Sequence, residues 1–89
     1  MLLAGSEHRI LQLLLERPDQ YGLELVEASR GALKRGGIYV TLGRMEDKGL
    51  VRSAAGESGR RLYRATALGE RALLAAQVFA GTLKVARPR

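Results

Sequence analysis

The side chains of this sequence that could act on another molecule are mostly guanidinium and ammonium groups, and they crowd into its middle. Lys34, Arg35, Arg44, Lys48, Arg52, Arg60, Arg61, Arg64 and Arg71 stand there against only Glu46, Asp47, Glu57 and Glu70. Such groups hold phosphates, and arginine can read guanine bidentately through O6 and N7. The residues that covalent chemistry would need are scattered. His8 is the single histidine, without a carboxylate cluster or second ligand at metal spacing, and it reads as a surface histidine. Ser6, Ser29, Ser53 and Ser58 have no partner arrangement that would activate a hydroxyl. Gly36, Gly37 and Gly43 lead into no Gly-Lys-Ser/Thr run, so they do not form a phosphate loop. No catalytic residue, metal site or cofactor is expected.

The best-placed cations lie on or beside one short helix, read between Gly36 and Gly49. At about 100° per residue, Ile38, Leu42, Met45 and Gly49 fall on one side, while Gly37, Val40, Arg44 and Lys48 lie away from it. A helix that buries one face and offers small and basic side chains on the other can enter a DNA major groove. Arg44 is the best base-reading candidate. Its competing use is a pair within the helix, with Glu46 or Asp47, which are expected at the far end and away from the groove. Lys34 and Arg35, with the backbone amides of Gly36 and Gly37 at the helix N-terminus, suit phosphate. Tyr39 either bonds a phosphate or packs under the helix with its hydroxyl toward solvent, the second being favoured. Val40, Thr41 and Lys48 complete the candidate surface. Arg60 and Arg61 follow on a basic hairpin, where phosphate or minor-groove contact competes evenly with a solvated tip.

The surrounding elements must position that helix. Ser6 is the expected N-cap of a first helix that buries Leu3, Ile10, Leu13 and Leu14, and Arg17-Pro18 ends it, since a residue before proline is pushed out of the α region. Asp19 is the expected cap of a second helix, Gln20 to about Ser29, with Leu23, Leu25, Val26 and Ala28 as apolar contacts and Gly31 closing it. Gly22 inside that helix costs about 1 kcal/mol relative to alanine, which close approach of the first helix would justify. After Gly49 a strand begins at Leu50-Val51, Ala54 to Gly59 form a hairpin tip, and Arg61 to Ala65 return. Thr66 caps a last helix running to about Leu83. The order helix, helix, helix, hairpin, helix predicts a mainly α fold with a small β-hairpin: a winged helix-turn-helix with a three-helix core, a β-wing and a C-terminal dimerisation helix.

Size and composition agree. Eighty-nine residues, 46% hydrophobic and 27% charged, make one small domain with an aliphatic core. The net charge of +6 and a pI near 10.5 suit a nucleic-acid partner. The absence of cysteine suits a reducing cytoplasm. The longest apolar run, Ala72 to Leu83, is interrupted and too short to span a bilayer, so a soluble, cytoplasmic protein with no membrane partner is expected.

Three segments resemble one family. Pro18-Asp19-Gln20-Tyr21-Gly22-Leu23-Glu24-Leu25 is similar to the proline-then-Tyr-Gly-x-Glu-Ile signature that opens the second helix of PadR-family transcriptional regulators. Gly36 to Val51 resembles that family's recognition-helix run, where glycine, an apolar residue and tyrosine precede a Leu-x-Arg-Leu-Glu core. Arg61-Leu62-Tyr63-Arg64-Ala65-Thr66, with Gly69, resembles its wing-to-helix passage and favours a core position for Tyr63. The likeness covers roughly residues 9 to 75. Val40 stands where proline is usual, Gly37 where threonine or alanine is common, and Gly43 thins the helix. The resemblance implies a dimeric, DNA-binding transcriptional repressor of bacterial type.

The last helix carries more apolar surface than one contact uses. Leu68, Ala72, Ala76, Phe79 and Leu83 form one stripe, and Leu74, Val78 and Val85 another. One stripe can cover the core and the other needs a partner, for which a twofold mate is simplest. Leu74, Val78, Phe79 and Leu83 are the dimerisation candidates. The expected organisation is a DNA-binding domain over residues 1–66 and a dimerisation helix and tail over 67–89. The expected function is sequence-specific recognition of a pseudo-palindromic double-stranded operator by a homodimeric repressor. The rival readings are a winged-helix protein–protein interaction module and a non-specific nucleic-acid-binding protein. A small-molecule effector is compatible with these residues, but none of them indicates one.

Overall fold

The computed structural model describes residues 3–86, and side chains as far as residue 78. Helix α1 spans Gly5–Glu16, strand β1 Gln20–Tyr21, α2 Gly22–Ala28, α3 Ile38–Asp47, β2 Val51–Ala55, β3 Arg61–Ala65 and α4 Ala67–Ala86, with one 3₁₀ turn, Glu57–Gly59, at the tip between β2 and β3. The three strands form one antiparallel sheet in the order β1-β3-β2. The wing is therefore a hairpin with a third, short strand along its inner edge, where the sequence indicated a hairpin alone.

That third strand explains how the start of α2 departs from expectation. Gln20 pairs with Tyr63 and Tyr21 with Leu62, so both residues are held extended and the helix begins at Gly22. Asp19 does not cap it. Its backbone takes a left-handed turn, φ 61°, and its carboxylate meets the Arg64 guanidinium bidentately at 3.0 and 2.8 Å. The cap comes from within the helix, where the Glu24 carboxylate accepts the Tyr21 N–H at 2.8 Å. The first helix uses the same device: Glu7 accepts the Ala4 N–H at 3.0 Å, which makes Ser6 a residue of the first turn rather than the cap. A glutamate at the third helical position can reach back to the preceding amide, so no serine or aspartate is required.

The core is aliphatic. Ile10, Leu11, Leu14, Leu25, Ile38, Leu42, Met45 and Leu50 are each at most 2% exposed, with Tyr63 beside them at the foot of the wing. Leu25 is the buried residue of α2 and Val26 is partly covered, whereas Leu23 and Ala28 face solvent. Gln20, although polar, is buried and satisfied. Its amide donates to the carbonyls of Leu13 and Arg17 at 2.9 and 2.6 Å, closing the C-terminus of α1. Gly31 and Gly49 take positive φ, 95° and 79°, at the ends of α2 and α3, as helix-terminating glycines do.

Helix α4 docks through Gly69 and Leu73 onto α1 and the Gly49–Leu50 corner. Thr66 is its cap, accepting the Gly69 N–H at 3.0 Å while its own hydroxyl donates to the Gly49 carbonyl. Neither of the two stripes supplies the main core contact: Leu68 is 40% exposed, Ala72 and Ala76 are half-buried, Leu74 and Val78 are exposed, and Leu73, from neither stripe, takes the core position. A helix apolar nearly all round does not declare which stripe turns inward. The helix continues without a break past Gly81 to Ala86.

Candidate nucleic-acid interface

Helix α3 is set in place from its buried side. Ile38, Leu42 and Met45 lie against α1, α2 and β2. Its entry is fixed by Ser29, a buried side chain weighed in the sequence only as a nucleophile and a helix end. The Ser29 hydroxyl donates to the Val26 carbonyl at 2.7 Å and accepts the Leu33 N–H at 2.9 Å, which anchors the connector between α2 and α3. Its signal was a small polar residue just before a helix-terminating glycine. Leu33, itself buried, pins the same connector. Lys34, Arg35, Gly36 and Gly37 are left exposed directly ahead of the helix, with Gly37 at the N-cap.

The outer face of α3 is open. Tyr39 and Val40 are 52% and 59% exposed, and Gly43 and Arg44 lie beside them in solvent. Among the described residues Arg44 forms no ion pair, with Glu46 and Asp47 included. Thr41 is half-buried on the flank facing α1, lining a shallow depression with Ser6, Leu33 and Ile38. Tyr39 flanks the other side. Its ring lies where a Cβ on Gly22 would be, with Cε1 2.7 Å from that position. The partner that Gly22 accommodates is therefore α3, not the first helix. Packing is the arrangement the sequence favoured for Tyr39, and half of the side chain stays accessible.

Lys48 is drawn away from this surface. Its ammonium meets the Glu7 carboxylate at 2.6 Å, joining the C-terminal end of α3 to the first turn of α1. Burial pushes the Glu7 carboxyl upward, yet the hydrogen bonds from Lys48 and the Ala4 amide and the charges of Lys48 and Arg44 outweigh it, leaving the group below the ordinary carboxylate value. Glu46 is tied to the wing, accepting from the backbone N–H and hydroxyl of Ser53 at 3.2 and 2.8 Å.

The wing arginines are held as well. Arg61 Nε donates to the same Ser53 hydroxyl at 2.9 Å, so a relay runs from α3 through Glu46 and Ser53 to Arg61. The Arg60 guanidinium stacks 4.0 Å from the centroid of the Tyr21 ring. Both arginines stay exposed at the wing while making these contacts. Tyr63 is buried, with burial first and the Glu46 charge second in raising its hydroxyl pKa. Of the dimerisation candidates, Leu74 and Val78 are 51% and 66% exposed on α4, and the Phe79 and Leu83 side chains lie outside the described residues.

A helix-turn-helix whose second helix presents an open face, followed by a two-stranded wing, defines the winged-helix class of transcription regulators. The PcaV transcriptional regulator of Streptomyces coelicolor, in complex with its natural ligand, superposes with a TM-score of 0.80 at 23% identity, over 92% of this chain and 58% of that one. The transcriptional repressor CouR, bound to a 23-mer DNA duplex, gives 0.77 at 20% identity, over 91% and 57%. These two likenesses establish the fold, and the chain spans less than two thirds of either protein. A PadR family transcription regulator from hypervirulent Clostridium difficile R20291 gives 0.70 at 31% identity, over 91% of this chain and 94% of that one. No curated protein matches the chain. The model of the PadR-like family of transcriptional regulators matches residues 10–75, and the chain belongs to that family. That family and its Clostridium difficile member are transcription regulators rather than enzymes.

Proposed function

We propose that this chain is a sequence-specific, double-stranded-DNA-binding regulator that represses transcription as a homodimer. The observation that carries the reading is the uncovered face of α3, where Tyr39 and Val40 are more than half exposed beside Arg44, which forms no ion pair among the described residues. In the groove Arg44 would read guanine and Val40 would touch a thymine methyl. Lys34, Arg35, the amides at Gly36 and Gly37, and the Tyr39 and Thr41 hydroxyls would meet phosphate, with Arg60 and Arg61 on the flanking backbone. Lys48, engaged by Glu7, would reach phosphate only by leaving that pair. The CouR repressor, of the same fold, is bound to duplex DNA.

In this reading residues 1–66 bind DNA and 67–89 dimerise, with the first turns of α4 also serving the core. Leu74 and Val78 would meet a twofold mate, extended by Phe79 and Leu83. Repression would follow from occlusion of a promoter by two recognition helices in successive major grooves. Selection of bound sites from random duplexes tests this directly. The expected product is an inverted repeat with half-sites about 10–10.5 bp, or a multiple of it, apart. Binding without enrichment would favour a non-specific nucleic-acid binder, and no binding would favour a protein–protein interaction module.

A further inference from the structure

Tyr21 makes three separate contacts with the tip of the wing. Its hydroxyl accepts the Glu57 N–H at 3.1 Å. Its ring carries the Arg60 guanidinium at 4.0 Å. Gly56 lies so close beneath it that a Cβ there would stand 2.7 Å from Tyr21 Cε1 and 2.9 Å from the hydroxyl. The tip is closed by a 2.7 Å bond from the Gly56 N–H to the Arg60 carbonyl, so what fixes the tip fixes Arg60. Tyr21 itself is immobilised, extended in β1 against Leu62 and bonded through its N–H to Glu24. The next residue, Gly22, receives the Tyr39 ring of α3. One dipeptide therefore touches both surfaces assigned to DNA.

We propose that Tyr21 is a positioning residue for DNA binding: it seats the wing tip and presents Arg60 in a fixed pose. Stacking occupies one face of a guanidinium and leaves its in-plane N–H groups able to bond a phosphate oxygen, so the pose is compatible with contact. A hairpin tip otherwise samples many orientations, and ordering a long side chain on binding costs affinity. The aromatic seat removes part of that cost before DNA arrives. This role rests on the DNA-binding reading given above.

The test uses the full chain and the variants Tyr21→Phe and Tyr21→Leu. In the unbound protein, Tyr21→Phe should speed exchange of the Glu57 amide by about 2- to 10-fold, the value of one ordinary hydrogen bond. It should leave the ring-current shift of the Arg60 side chain in place, and Tyr21→Leu should abolish that shift. On a duplex that binds the unmodified chain, Tyr21→Phe should stay within about 2-fold of it, and Tyr21→Leu should raise Kd by about 2- to 10-fold. The decisive arm is a cycle with Arg60→Ala. Tyr21→Leu should add nothing in that background and should add fully to Arg61→Ala. Penalties that multiply with Arg60→Ala would overturn the role, since general destabilisation would do the same. If no duplex binds, the DNA-binding reading fails, and the exchange and shift measurements still decide whether Tyr21 seats the tip. Should Tyr21→Leu not fold, an unchanged Glu57 exchange rate in Tyr21→Phe would by itself refute the proposal.

Discussion

Replacing Gly69 with alanine separates what helix propensity dictates from what packing dictates. Considered only as a residue of α4, Gly69→Ala should stabilise by about 1 kcal/mol. The structure reverses the sign. A Cβ at position 69 would fall on the carbonyl oxygen of Leu50 and 3.0 Å from Leu11 Cδ2. The first obstacle is backbone, which cannot rotate aside as a side chain can, so α4 must retreat. Overpacking of this kind costs about 1–3 kcal/mol. Retreat also strains the bonds that moor the helix, from the Thr66 N–H to the Leu50 carbonyl at 3.0 Å and from the Thr66 hydroxyl to Gly49, each contributing about 1 kcal/mol. The net loss should be about 2–4 kcal/mol, lowering Tm by roughly 10–25 °C for a domain of this size. Gly43→Ala is the matched control, in a helix and with open space around its Cβ position. It should raise Tm by about 4–8 °C. Thermal unfolding followed by circular dichroism reads both, and an unchanged or raised Tm for Gly69→Ala would refute the packing argument.

Other outcomes follow from the same structure. Arg44→Ala should weaken the preferred site by about 1–3 kcal/mol and relax one base position, whereas Arg60→Ala with Arg61→Ala should weaken all duplexes alike and flatten the salt dependence. Binding isotherms across salt and sequence compare the two, and an Arg44→Ala variant with unaltered affinity and preference would remove that face from the site. The lowered Glu7 carboxyl contributes stability above the unfolded value near pH ~4.3, lost as pH falls through the folded value. Lys48→Met removes the ammonium's hydrogen bond and charge, so much of that contribution goes: a loss of about 1–3 kcal/mol at neutral pH should shrink as the medium is acidified. Denaturant midpoints on both sides of that range check it, and a gap independent of pH would show that the pair is not the cause. Leu74→Glu with Val78→Glu should turn a homodimer into monomers and lower DNA affinity as two tethered sites become independent. Sedimentation at micromolar concentration measures this, and an unmodified chain that runs as a monomer would exclude the dimer.

Much of the fold was legible because its signals are local. The 3.6-residue spacing of Ile38, Leu42 and Met45 placed the buried side of α3, and Thr66 and Gly49 marked helix ends through backbone requirements of their own. The hairpin return at Arg61–Ala65 was likewise foreseen, whereas the burial of Tyr63 was favoured only by the family resemblance. What escaped depends on a residue's distant neighbours. Asp19 carries the composition of a helix cap, yet Arg64, 45 residues on, takes its carboxylate. Gln20 and Tyr21 look like a first helical turn until β3 offers their backbones a ladder.

The candidate surface divides in the same way. The charge run and the bare face of α3 are properties of residue order, and the sequence alone determined that cations and small side chains would share one side of a short helix. Only the tertiary structure decided how these cations are used: Lys48 is held by Glu7, Arg61 through Ser53, and Arg60 lies on Tyr21, while Arg44 has no ion pair among the described residues. Those partners are 41 residues from Lys48 along the chain and on another element from Arg60. Periodicity reports which way a side chain points from its own helix. Which charge or ring waits there is set by packing between elements that the chain brings together only when folded.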